Sequence, residues 1–399
     1  MMDEKAVMLK SYPRVYFELV LVGFTLVMGM SLSSAFLPIF ASDLDPSGAL
    51  VGFVVSAWFF SRIFIELPSG VLSDRLGRRK LLVGGLALAV GGTFMCSLAN
   101  SIYLLIIGRA LWGLGTALFF MSNTVLILDL FESSMRGRAL GTFQGIEFIG
   151  SFLGAPIGGF MAEIIGYKQV FFLAFMLILC SFSVALISRG LQRIGTKTSG
   201  GPKLSVKEVF SSLGRWGLTV ICINSFSRMF IMQGVTSTVF PLYLNHQLGI
   251  SVELIGIILS LRTAGYIIAA LSSGYFSDKI GRKTVIMMGL VIESACFYLY
   301  TLRPSFEPLL LVGLFEGYGG GMVFSSLVVL LYEVVPAEFK GGPIGMYRTF
   351  MDIGGFLGPP FFMLLFSSKG SYPAFLLAMA ILTLNIALLA SIKRTGRTE

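Results

Sequence analysis

The sequence predicts an all-α membrane protein, twelve transmembrane helices in two six-helix halves, and three observations predict it. The 399 residues are 55% hydrophobic and 13% charged, with 36 Phe, and the mean hydropathy is +0.85, a balance outside the soluble range. About twelve apolar runs follow one another, each near the roughly 20 residues that cross hydrocarbon. A basic turn, GVLSDRLGRRK at residues 70–80, recurs as GYFSDKIGRK at 274–283. Gly70, Asp74, Gly77, Arg78 and Arg79 each map by 204 residues onto Gly274, Asp278, Gly281, Arg282 and Lys283. A displacement of half a chain points to a duplicated bundle.

Spans 1 to 6 are expected at about 15–40, 50–73, 81–98, 103–130, 137–164 and 170–188. The DLDPSG turn follows span 1, the basic turn at 70–80 follows span 2, and ESSMRGRALG follows span 4. The segment RGLQRIGTKTSGGPKLSVK, 189–207, is polar, basic and rich in Gly and Ser, and reads as a linker. It divides the chain into a first bundle at 1–190, a linker at 191–210 and a second bundle at 211–399. Spans 7 to 12 are expected at about 214–244, 254–277, 284–302, 308–335, 341–367 and 372–392. The 204-residue displacement persists from Gly52 and Gly256 through Asp129 and Glu333, Gly141 and Gly345, Gly150 and Gly354, to Gly154 and Gly358. The halves therefore share one fold.

Charge sets the orientation. Of 30 Lys and Arg, 22 fall on one side, 3 on the other (Lys168, Arg303, Lys369) and 5 within spans. The rich side is expected to be cytoplasmic, with both termini there and the chain in the cell membrane. The net charge of +9 is thus a topology signal and not a nucleic-acid surface. MMDEKAVMLKSYPR leads into a span too long for a signal peptide. Cys96, Cys180, Cys222 and Cys296 fall inside spans, where Cys acts as a small hydrophobe. The lone His246 offers no triad or zinc set, so neither an enzyme nor a metal cofactor is expected.

The motifs resemble those of the major facilitator superfamily of secondary transporters over nearly the whole chain. Gly70, Asp74, Gly77, Arg78 and Arg79, with Gly274, Asp278, Gly281 and Arg282, match its signature between helices 2 and 3 and the second copy. That resemblance implies a conformational latch in which the Asp meets basic groups and a helix end of the other half. GRALWGLG places Arg109 where the family has an intramembrane Arg governing proton movement. GTFQGIEFIGSFLGAPIGG, with Gly141, Gly150, Gly154, Pro156, Gly158 and Gly159, resembles the helix 5 motif of the drug/proton antiporter branch, which packs that helix against helix 8. Ala155 intervenes before Pro156, a departure from that motif, and the copy in span 11 ends in PPFF.

Ten ionisable residues lie within the spans: Arg62, Glu66, Arg109, Glu147, Arg228, Arg262, Glu293, Glu316, Arg348 and Asp352. Arg62 with Glu66, and Arg348 with Asp352, are four apart on one helix and can satisfy each other. Glu147, Glu293 and Glu316 have no such partner, the situation of a proton carrier; Glu316 is favoured and Glu293 reads as structural. Glu316, Arg109, Glu147, Glu66 and Asp352 are the proton-coupling candidates. Arg62, Trp112, Asn224, Arg228, Arg262 and Arg348 are the substrate-cavity candidates; Arg228, Arg262 and Arg109 either hold an anion or neutralise Glu147 and Glu316 across helix gaps.

The sequence thus predicts alternating access, with proton-coupled antiport exporting lipophilic or amphiphilic small molecules. The alternative is proton-coupled uptake of a small organic anion or other metabolite. A receptor or scaffold keeping the fold without transport would tolerate changes at Asp74 and Arg109. The expected partners are a small molecule, protons and the bilayer, with a proton gradient as energy source and a monomer sufficient.

Overall fold

The computed structural model describes residues 13–66, 77–194, 216–334 and 341–392, and they form twelve main helices. α1 is Arg14–Leu32 with a continuation, Leu37–Leu44, beyond a turn. α2 is Val51–Glu66, α3 Arg78–Ser97, α4 Ile102–Leu130, α5 Ser133–Ile165 and α6 Tyr167–Ile187. A short helix, Arg189–Ile194, follows, and the expected linker lies outside the described residues from 195 onward. α7 starts at Trp216 and widens into π turns over Met232–Val239 and Tyr243–Gln247. α8 is Val252–Ile280, α9 Arg282–Thr301, α10 Phe306–Val334, α11 Gly341–Lys369 and α12 Ser371–Ala390. Eleven are long and apolar enough to cross a membrane, α2 being described over 16 residues.

The packing repeats as the sequence does. α1 lies on α5 and α6, α2 on α4, and α3 on α4 and α6; α7 lies on α11 and α12, α8 on α10, and α9 on α10 and α12. The same residues make the contacts. A Cβ at Gly85 would stand 2.6 Å from the Gly115 carbonyl oxygen, and one at Gly289 2.6 Å from that of Gly319, so small residues let the helix backbones touch in both halves. Helix ends match too. α3 and α9 each begin after a glycine with positive φ, Gly77 at 83° and Gly281 at 89°, a conformation that costs glycine little. The exception is α7, whose π turns shift its register: Gly150 meets Phe24 on α1, whereas Gly354 meets Phe226, not Arg228.

Two seams join the first six helices to the last six: α2 against α11, and α5 against α8. Each is tied at a proline. Pro156 within α5 cannot donate to the Phe152 carbonyl, and Pro360 within α11 cannot donate to that of Phe356. Ser260 Oγ of α8 donates to the Phe152 oxygen at 2.8 Å, and Ser56 Oγ of α2 to the Phe356 oxygen at 2.5 Å. The freed acceptors are thus satisfied from the opposite half. Pro156 and Pro360 are 204 apart, as are Ser56 and Ser260, so the second copy of the helix 5 motif keeps its proline in register.

Candidate functional site

The seams run from mid-depth to the end opposite the basic turns, called the far end below. On the α5–α8 seam Glu163 Oε1 accepts from the Val252 N–H at 2.9 Å, capping the first turn of α8 from the other half. A Cβ at Gly159 would meet the Val252 carbonyl oxygen at 2.6 Å, and one at Gly256 that of Ala155 at 2.6 Å. On the α2–α11 seam a Cβ at Gly52 would meet the Pro359 carbonyl oxygen at 2.6 Å, and Phe60 tilts onto Phe356 at 5.2 Å. At the mid-depth end of that seam Arg62 Nε lies 3.5 Å from Asp352 Oδ1 across the halves.

That pair corrects an expectation: the sequence joined Asp352 to Arg348 on one helix face. Arg348 is exposed and makes no ion pair among the described residues, whereas Asp352 is buried and pairs across the seam with Arg62. Glu66 has a backbone in the structure, but its side chain lies outside the described residues. Arg62 also stands over the Trp58 ring at 4.6 Å.

The other mid-depth charges concentrate in the second half. Arg228 Nη1 on α7 donates to both Glu293 oxygens on α9, at 2.9 and 2.8 Å. Arg262 of α8 pairs with Glu316 of α10 through Nε, and through Nη2 at 3.2 Å; Thr236 Oγ1 reaches the same carboxylate at 3.4 Å. Glu316 is 1% exposed and Glu293 5%, so both pairs are desolvated and need the partner they have. Of the two roles left open for these arginines, neutralisation holds for Arg262 with Glu316, but Arg228 neutralises Glu293 and not Glu147. Pairs between helices leave no i,i+4 trace, which is why the sequence alone could not assign them.

In the first half two charges stand without a counter-ion among the described residues. Glu147 on α5 has a buried Oε1 with no hydrogen-bond partner there, near the Gly23 backbone of α1. Arg109 on α4 has a buried Nε in the same condition, and its guanidinium lies 5.1 Å from the Trp112 ring centre. Trp112 is fully buried and supports that arginine instead of lining an open cavity. Asn224 turns its Nδ2 back to the Val220 carbonyl at 2.9 Å, so its amide nitrogen serves its own helix.

The latch motif is split. Gly70 and Asp74 lie outside the described residues. The described part holds each half together internally: Arg78 pairs with Asp129 between α3 and α4, and Arg282 with Glu333 between α9 and α10. Arg79 donates to the Leu186 carbonyl at 3.0 Å, and Lys283 to that of Ala390 at 2.8 Å. Asp278, one turn beyond Gly274 near the end of α8, is 3.7 Å from Arg282 at the start of α9. The helix 5 motif also divides: Gly150, Gly154 and Gly158 pack on α1, while Pro156 and Gly159 face α8. Among the described residues, nothing lies within 4 Å of a Cβ built at Gly141. Packing of helix 5 on helix 8 therefore uses only part of the glycine row.

The model of the Major Facilitator Superfamily matches residues 19–233 and 221–398. The chain is 26% identical over 372 residues to Multidrug resistance protein 1 of Bacillus subtilis strain 168, covering 92% of each. It is 27% identical over 354 residues to Quinolone resistance protein NorA of Staphylococcus aureus, covering 84% of this chain and 86% of that protein. Among solved structures, a bacterial homolog of the human lysosomal transporter Spinster, inward-facing and occupied, superposes with a TM-score of 0.79 at 16% identity, over 94% of this chain and 95% of that one. Its unoccupied form gives 0.77 at 15% identity over the same shares.

Proposed function

The chain belongs to the major facilitator superfamily, and from that premise we propose that it exports lipophilic or amphiphilic small molecules from the cell by proton-coupled antiport. In this reading the basic end faces the cytoplasm, which its excess of Lys and Arg supports. The far-end seams then close the outer gate, and alternating access opens them as the halves rock.

The observation that carries the coupling is the buried Arg262–Glu316 pair between α8 and α10, beside the α5–α8 seam. A carboxylate whose charge is held by one arginine loses that attraction when it takes a proton, which frees α8 to move relative to α10. Efflux of drug-like compounds is supported by the two relatives, whose names speak of multidrug and quinolone resistance and which are similar over more than four fifths of the chain. Anion uptake loses support, because Arg228 and Arg262 are already neutralised by glutamates. The proton gradient is the energy source, and one chain contains every group invoked.

The test uses purified protein in liposomes with an internal pH-sensitive dye, screening lipophilic cations and organic anions under a proton gradient, with Glu316→Gln alongside. Flux triggered by cations and lost in the variant is the expected result. Flux triggered by anions alone and insensitive to Glu316 would overturn the proposal.

A further inference from the structure

At the far end of the second half lies a cavity of about 290 Å³, the volume of roughly ten waters. Buried Tyr243, Tyr300 and Ser371 line it with half-buried Gln247, and the exposed Arg303 and Lys369 complete the lining. Its chemistry is one-sided. Two of the three basic residues expected on this end line it, and no carboxylate does. Ser371 Oγ donates to Gln247 Oε1 at 2.6 Å, which orients the amide so that its Nε2 is left to donate elsewhere. Tyr243 Oη is used by the Tyr300 carbonyl at 2.8 Å. The groups left over are cations and N–H donors, the set that receives an anion with several oxygens.

The twin position in the first half carries different side chains. The residue 204 before Ser371 is Tyr167, whose ring fills the space, 5.1 Å from Phe36 and 5.5 Å from Phe40. Arg303 and Lys369 have Ala99 and Ile165 as twins. Arg303 also has φ at 53°, the one non-glycine with positive φ among the described residues. Glycine would adopt that backbone without strain, so the arginine is there for its side chain. The surroundings are membrane-facing: Tyr298, Leu302 and Tyr372 are 51, 60 and 58% exposed, on helices whose packing lies wholly within the second half. Tyrosines at a helix end mark the headgroup level.

We propose that this cavity binds the phosphate of an anionic lipid headgroup in the outer leaflet. The leaflet, though not the site, rests on the orientation given under Proposed function. The phosphate sits between Arg303 and Lys369, and the remainder of the headgroup occupies the space that Tyr167 fills in the other half.

The experiment is native mass spectrometry of the full chain with phosphatidylglycerol, phosphatidylcholine or inorganic phosphate, on wild type, Arg303→Gly, and Arg303→Gln with Lys369→Gln. Retention of phosphatidylglycerol over phosphatidylcholine, about tenfold weaker in the double variant and reduced by salt, is expected. Arg303→Gly should lose affinity while its melting temperature holds or rises, which separates ligand loss from misfolding. Equal retention of both lipids, or retention of phosphatidylglycerol unchanged in the double variant, would overturn the site. Binding of inorganic phosphate without preference between the lipids would overturn the lipid as its source. None of these readouts depends on transport, and impermeant labelling of a cysteine placed at Ser305 in whole cells tests the orientation separately.

Discussion

The two halves share backbone contacts and differ in what those contacts present. Gly113 on α4 packs on the Trp58 backbone of α2, and its twin Gly317 on α10 packs on the Arg262 backbone of α8. Beside those contacts the first half carries Trp58 and Trp112, while the second carries Arg262 and Glu316 at the positions 204 later. Each tryptophan has an arginine from its own helix over its ring, Arg62 and Arg109. The seams diverge in the same way: Arg62 faces Asp352 on one, and their twins Tyr266 and Phe148 meet ring to ring at 5.3 Å on the other. Duplication thus fixes where helices touch, and side-chain exchange decides which half carries the buried ion pairs.

The largest expected effect comes from breaking the ion pair that replaces the tryptophans. Glu316→Gln leaves Arg262 buried without its counter-charge, costing about 3 to 5 kcal/mol, and should cut coupled flux ~10-fold or more. Arg262→Gln with Glu316→Gln should recover most of the melting temperature in detergent and none of the flux. Recovery of flux in the double variant would show that the pair is structural and would dissolve the contrast between halves. Next in size is the seam. Asp352→Asn weakens the ion pair on one of the two seams and should shift the gate toward far-end opening by ~1 to 2 kcal/mol, about tenfold in population, read by spin-label distances across the far end. Tyr266→Phe on the other seam should leave those distances alone.

Much of this architecture was legible in the sequence, because one displacement of 204 residues carried both the helix pairs and their ends. Arg79 and Lys283 reach carbonyls that are themselves 204 apart, Leu186 and Ala390. What was not legible were contacts that join distant helices. Arg62 and Asp352 are 290 residues apart, and the i,i+4 rule offered nearer partners on the same helix. The serine ties were hidden for a different reason: Ser56 and Ser260 read as ordinary small residues until the prolines they serve are seen opposite them. A signal was present, since serines and prolines both repeat at 204. The register shift of α7 left no such mark, because π turns preserve the apolar content that hydropathy reads.

Those serine ties make the third prediction, and here the halves should agree. Ser56→Ala and Ser260→Ala each leave a proline-freed carbonyl unsatisfied at a seam, for about 1 kcal/mol apiece. The two variants should lower the melting temperature equally, and their effects should add, because the seams share no partner. A marked inequality would mean that one seam dominates closure of the far end, and would identify it.

The smallest effect separates the halves again, at the turns after α1 and α7. Asp45 Oδ1 accepts from Ser47 Oγ at 2.6 Å and Oδ2 from the Leu50 N–H at 2.8 Å; these bonds, Ser47 first, hold its carboxyl below the usual carboxylate range. Its twin is Gly249, with φ at 66°, in a turn that has no carboxyl at this position and is braced by Asn245 Nδ2 donating to the Ile250 carbonyl at 3.1 Å. A carboxyl depressed in the fold contributes stability above its unfolded value, near pH 4, and that contribution is lost as pH falls through the lower folded value. Asp45 is well solvated, so screening limits the effect to below about 0.5 kcal/mol, too little for a melting curve. Amide exchange resolves it: after correction for intrinsic exchange, Leu50 should lose protection as pH falls below about 4, while Ile250, bonded to the Leu244 carbonyl at 2.9 Å, keeps its own. Parallel loss at both turns would mean that acid loosens the far end as a whole, and that Asp45 is not what sets the first turn apart.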